Sequence, residues 1–130
     1  MAWYIDTSAL AKLVVAEVET PVLLAWFAES ERNPVSSDLA RTELLRAVRR
    51  VAPEQVVRAR DVLESVTLVQ ITTAMFESAG LVDPAVLRTL DAVHLSAAMA
   101  LGDELEGLVT YDDRLAHAAV SNGIRVLAPA

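Results

Sequence analysis

The chain has 130 residues, enough for one domain with a real core, and 54 % of them are apolar. It has no cysteine, which excludes disulfides and thiolate metal sites, and its two histidines, His94 and His117, stand too far apart to form a helical zinc pair. A formal net charge of −7 argues against nucleic acid as a partner, yet six of the eleven basic residues (Arg41, Arg46, Arg49, Arg50, Arg58 and Arg60) crowd between positions 41 and 60.

Residues 2–6 are apolar, aromatic-rich and bounded by Thr-Ser, which predicts a short buried strand. A helix follows from Thr7 to about Val18, with Leu10, Leu13, Val14 and Val18 on one face. Thr20-Pro21 opens a second helix running to about Glu31, which Asn33-Pro34 breaks. Val35–Ser37 reads as a second strand, and Ser37 or Asp38 caps the helix that carries Glu43. On that helix Leu44, Val48 and Val51 are expected to face the core. Pro53 opens a helix ending near Ser65, Thr67–Ile71 is a third strand, and Thr72 or Thr73 starts a short helix. Asp83-Pro84 marks a turn or a helix start. Residues 90–101 are helical up to Gly102, residues 108–110 form a strand, residues 112–122 a helix closed by Gly123, and residues 124–127 a last strand. Strands alternating with helices predict an α/β domain, a parallel sheet flanked by helices, spanning 1–130 as one unit. No apolar run reaches the roughly 18 residues a membrane span needs, so no membrane partner is expected. The opening Met-Ala-Trp-Tyr-Ile-Asp lacks the basic segment of a signal peptide, and a cytoplasmic protein is the expectation.

Four carboxylates occupy unusual positions. Asp6 and Asp112 each follow an apolar strand, where an open α/β sheet keeps its site, while Glu43 and Asp91 fall early in helices. Each has an ordinary explanation: Asp6 as a helix cap, Glu43 as a solvated first-turn acid. Asp91 is harder to dismiss, because an acid among Leu90, Ala92, Val93 and Leu95 is costly unless paired or bound to metal. Asp113 beside Asp112 leaves open which of the two faces the site and which caps the helix. Ser8 and Thr110 can add hydroxyls, and Arg46 and Arg50 share Glu43's side of its helix, suited to phosphates. His94, one turn beyond Asp91, reads as a packed core histidine or one that supports the site from behind, rather than a ligand or base, and His117 as surface. With no thiolate and no histidine pair, clustered carboxylates suit a hard cation, Mg²⁺ or Mn²⁺, able to activate water against a phosphodiester.

The segments Tyr4-Ile5-Asp6-Thr7-Ser8-Ala9, Leu39-Ala40-Arg41-Thr42-Glu43-Leu44, Leu90-Asp91-Ala92-Val93-His94-Leu95-Ser96 and Val109-Thr110-Tyr111-Asp112-Asp113-Arg114 resemble, in order, the motifs of PIN-domain ribonucleases, VapC toxins above all. The resemblance implies a PIN-like α/β/α sandwich with a central parallel sheet. It implies a Mg²⁺- or Mn²⁺-dependent endoribonuclease acting on structured RNA such as tRNA or rRNA, a homodimer, and a cognate VapB antitoxin. By position, Asp6, Glu43, Asp91 and Asp112 match the acidic quartet, and Ser8 and Thr110 the supporting hydroxyls. Trp26 or Phe27 is then expected in the groove that receives the antitoxin, with burial in the core as the equal alternative. A competing reading, a doubly wound signalling domain binding Mg²⁺ and phosphate, requires a lysine near a later strand, and the single lysine is Lys12. A third reading, an interaction module with purely structural acids, predicts no metal binding.

Overall fold

The computed structural model describes residues 1–29 and 32–130. Five strands, β1 (Ala2–Ile5), β2 (Asn33–Ser37), β3 (Thr67–Val69), β4 (Leu105–Val109) and β5 (Val126–Leu127), form one sheet in the order β3-β2-β1-β4-β5. Every pairing is parallel. The helices are α1 (Thr7–Val14), α2 (Thr20–Ala28), α3 (Leu39–Val51), α4 (Val56–Glu64), α5 (Thr73–Leu81), α6 (Thr89–Met99) and α7 (Asp113–Ser121).

Side chains of the central strand alternate between two cores. Trp3 and Ile5 pack with Val109 against α1, α2, α3 and α4. Tyr4 and Leu108 point the other way, onto Leu95, Ala97 and Ala98 of α6 and Leu115, Ala118 and Ala119 of α7. All four residues of β1 are buried, which is why its sequence is unbroken apolar rather than alternating. The expected α/β/α sandwich with a central parallel sheet is the observed fold. Going outward from β1, the chain fills one side with β2 and β3 and the other with β4 and β5. The strand order therefore reverses between β1 and β4, where such sheets open their crevice.

Several boundaries differ from the sequence reading. The first helix stops at Val14, not Val18, because Thr20 Oγ1 donates to the Lys12 carbonyl at 2.8 Å and turns the chain. Val18 is consequently 87 % exposed. The helix expected to reach Glu31 ends at Ala28, and its proposed end lies outside the described residues. Pro34 belongs to β2 rather than preceding it. β3 pairs only from Val35 on, so the missing N–H falls outside the two-sided part of the sheet. Pro53–Gln55 is a 3₁₀ turn before α4, β3 ends at Val69 rather than Ile71, and β4 begins three residues early, at Leu105. β5 is confined to Val126–Leu127. Val51 is exposed at the end of α3, because the buried row of Ala40, Leu44 and Val48 steps by four and continues at Ala52, one position beyond it. Asp38 precedes α3 without capping it; its carboxylate takes the Arg41 guanidinium instead.

Trp26 is a core residue, its ring meeting Trp3 edge-on at 5.3 Å, so it is removed from any antitoxin groove. Phe27 is half-buried and lines a shallow groove of about 300 Å³ with Leu13, Leu24 and Val62. No helix among the described residues is long and apolar enough to cross a membrane.

Candidate active site

Asp6 leaves β1 and caps α1, its Oδ1 accepting the Ala9 N–H at 3.1 Å. The cap does not exhaust the carboxylate. Ser8 Oγ donates to Oδ1 and Thr110 Oγ1 to Oδ2, both at 2.7 Å. Those two hydroxyls are themselves held by the turn after β4: Ser8 Oγ accepts the Tyr111 N–H at 2.9 Å, and Thr110 Oγ1 the Asp112 N–H at 3.0 Å. The ends of β1 and β4 are thus laced together through Asp6, which is 4 % exposed. Burial pushes the Asp6 carboxyl above the usual carboxylate range, although the Ser8 and Thr110 hydroxyls, the charge of His94 and the Ala9 N–H all oppose the shift.

Asp112 caps α7. Its Oδ1 accepts the Arg114 and Leu115 N–H groups at 2.9 and 3.0 Å, while Oδ2 meets Arg88 Nη2 at 3.2 Å. Asp91, in the first turn of α6, meets Nε of the same arginine at 3.2 Å. Of the neighbours Asp112 and Asp113, Asp112 gives one oxygen to the cap and the other to the arginine it shares with Asp91. Asp113 is exposed inside the helix.

Glu43 lies on α3, across from α6. Its Oε1 accepts from Thr7 Oγ1 at 2.7 Å and forms a very short bond with His94 Nε2. His94 is buried, and its Nδ1 lies 2.7 Å from Tyr4 Oη, which donates onward to Ser37 Oγ at 3.0 Å. Desolvation pushes the Glu43 carboxyl up, but the His94 hydrogen bond and charge and the Thr7 hydroxyl outweigh it, and Glu43 ends below its ordinary range. An ionised Glu43 only accepts, so the shared proton belongs to Nε2. Of the two readings open in the sequence, core and supporting residue, His94 combines burial with a bond to Glu43.

Burial raises the Tyr4 phenol well above its ordinary value of 10.0, against the Ser37 and Ser36 hydroxyls. The fold favours the neutral phenol, so this part of the stability is complete below pH 10 and is lost as pH rises past it, where the unfolded chain ionises first. We expect the urea midpoint to fall steeply above about pH 10 and Tyr4→Phe to flatten most of that fall, at a cost of about 1 kcal/mol at neutral pH. An equally steep fall in the variant would place the transition elsewhere.

Of the remaining sequence candidates, Arg46 and Arg50 are exposed on α3 and make no ion pair among the described residues. His117 is exposed, as expected. Lys12 pairs with Glu17 at 2.6 Å and Glu19 at 3.1 Å and lies over the Tyr111 ring, so the single lysine is committed to structure. Sequence reasoning missed Arg88, whose spacing of three residues before Asp91 was a legible pairing signal. It also missed Thr7, Tyr4 and Ser37, which carried none.

Among the described residues no three acids or imidazoles stand arranged as a ready metal site. The reason is visible: His94 draws Glu43 aside, and Arg88 holds Asp91 and Asp112. The donor set is nevertheless all oxygen, carboxylates with two hydroxyls, and a guanidinium stands in for a cation between two of the acids. In donor chemistry these residues fit a hard divalent ion.

A model of the PIN domain family matches residues 3–121. Ribonuclease VapC47 of Mycobacterium tuberculosis is 41 % identical over 116 residues, covering 86 % of this chain and 85 % of that protein. Among solved structures, the M. tuberculosis toxin VapC20, described as cleaving the sarcin–ricin loop, superposes with a TM-score of 0.79 at 18 % identity, covering 98 % of this chain and 99 % of that one. A toxin–antitoxin complex from Klebsiella pneumoniae gives a TM-score of 0.71 at 22 % identity, covering 98 % and 97 %.

Proposed function

The chain belongs to the PIN-domain family, among the VapC ribonucleases, and on that premise we propose a divalent-metal-dependent endoribonuclease toxin that cleaves structured RNA and is held in check by a VapB antitoxin. One observation carries the metal reading: a carboxylate buried at the sheet's switch point, Asp6, kept above the usual range by desolvation. Such a group gains most from a cation. Asp6, Asp91, Asp112 and Glu43 would hold Mg²⁺ or Mn²⁺. When bound, the ion lowers the pKa of a water and stabilises charge on the phosphodiester.

The chain's own residues do the rest. Ser8 and Thr110 fix both Asp6 oxygens, so the carboxylate presents one geometry. The helix cap leaves Asp112 with Oδ2 toward the acids, and the His94 proton keeps Glu43 ionised. Arg46 and Arg50, on the helix that bears Glu43, offer positive charge to the RNA backbone and temper the net charge of the chain. Phe27 in its groove is our choice for an antitoxin contact. The exposed Phe76, Leu81 and Val86 around α5 are our choice for the homodimer face.

The 2′-hydroxyl is not needed as nucleophile. Purified protein with Mn²⁺ and RNA should give 5′-phosphate and 3′-hydroxyl ends, and excess EDTA should stop cleavage. Products ending in a 2′,3′-cyclic phosphate, or full activity in EDTA, would overturn the reading.

A further inference from the structure

Arg88 is the N-cap of α6, in extended backbone (φ −63°, ψ 148°), its carbonyl accepting the Ala92 N–H at 2.9 Å and its side chain 58 % exposed. Its guanidinium spans two carboxylates from different elements, Asp91 of α6 and Asp112 at the start of α7, at 3.2 Å each. Those carboxylates are far less exposed, 15 % and 28 %. The oxygens that meet Arg88, Asp91 Oδ2 and Asp112 Oδ2, have no other hydrogen-bond partner among the described residues. Asp112 Oδ1 is taken by two backbone N–H groups, both Asp6 oxygens by hydroxyls, and Glu43 Oε1 by Thr7 and His94. A cation that bridges Asp91 and Asp112 through these oxygens therefore competes with Arg88 for them.

On its outer side Arg88 borders a cavity of about 490 Å³ lined also by Leu87, Arg114 and His117, into which a displaced guanidinium has room to turn. We propose that Arg88 is a place-holding cation: it neutralises Asp91 and Asp112 in the metal-free protein, and a divalent ion loads by displacing it, an inference that rests on the metal-dependent reading above. Loading is then a substitution of one cation for another. The acid cluster never stands bare, and the fold tolerates the absence of metal.

Calorimetric titration of Mn²⁺ into the metal-free full chain tests this. Arg88→Gln removes the charge and keeps most of the side-chain length. It should bind Mn²⁺ about five-fold more tightly than wild type at low ionic strength, with the gap narrowing as salt screens the exposed pair. Arg114→Gln, next to the cavity and with a guanidinium that pairs with neither acid, keeps its backbone bond to Asp112, controls for a general change in charge and should shift affinity far less. Thermal melts without metal should show Arg88→Gln less stable than wild type. Unchanged or weaker Mn²⁺ binding by Arg88→Gln overturns the place-holding role while leaving the nuclease reading intact, as does an equal gain in Arg114→Gln. Failure of all three proteins to bind Mn²⁺ overturns both.

Discussion

Asp6→Asn is expected to abolish RNA cleavage and, in the same protein, to raise the melting temperature measured in EDTA. Each half follows from one fact, the burial of a carboxylate that desolvation holds above its usual range. A carboxyl whose folded pKa is raised favours the protonated form in the fold, so its contribution is fully present below the unfolded value of 3.8 and is lost as pH rises through the folded one. At neutral pH the ionised group is a burden. Asparagine removes the charge and keeps the pattern: its oxygen still accepts from Ser8 and Ala9, and its amide donates to Thr110 Oγ1, whose proton is free to turn toward Ser8 at 3.4 Å. The gain should be about 1 kcal/mol, or roughly 4 °C in melting temperature. Activity should fall at least about 100-fold, since the lost charge is worth several kcal/mol at a metal-assisted step. Excess Mn²⁺ should reverse the stability order, raising wild type and leaving Asp6→Asn unmoved. An Asn variant less stable than wild type in EDTA would show that the buried charge costs nothing.

The largest effect on stability is expected from one methyl group, in Gly107→Ala. Gly107 lies on β4 opposite Trp3 of β1, next to an irregularity in that pairing. A Cβ there would stand 2.5 Å from Trp3 Cζ3 and 2.8 Å from the Arg125 carbonyl oxygen. Neither neighbour can give way. Trp3 is wedged edge-on against Trp26, and the Arg125 carbonyl accepts the Leu108 N–H at 2.8 Å, so moving it breaks the link between β4 and the strand beside it. Overpacking of this kind should cost about 3 kcal/mol and lower the melting temperature by roughly 10 °C in a thermal melt. Gly80→Ala, on α5 with nothing within 4 Å of the new Cβ, should be neutral or slightly stabilising. Similar melts for the two variants would remove the steric explanation.

Much of the fold was readable because β1, the second half of β4 and the helices between carry strong local signals: short apolar runs followed by acids, Thr-Pro and Asn-Pro punctuation, and Gly102 and Gly123 at helix ends, both with positive φ. The acids at the ends of β1 and β4 were readable for the same reason. Glu43 was not, on local grounds. Its environment is built by Thr7, His94 and Tyr4 from three other elements, and no window of sequence contains that encounter. The fate of Trp26 was undecidable in sequence because α2 is apolar around most of its circumference, which leaves the buried face unmarked. Arg88 could be paired with Asp91 by spacing, but its reach to Asp112, 24 positions away, depends on how α6 and α7 meet the sheet.

The strand order also governs when the protein becomes dangerous during its own synthesis. β1 emerges first of the five strands, yet one of its two edges waits for β4, about a hundred residues later in the chain. Until Thr110 arrives, Asp6 lacks half of its hydroxyl partners, and Asp112 is not yet on the ribosome's exposed side. Closing so distant a pair is slow and comes late. A nascent chain holding all of α1 to α6 but not β4 therefore lacks half of the candidate site, which closes only after β4 and the turn that follows it are made.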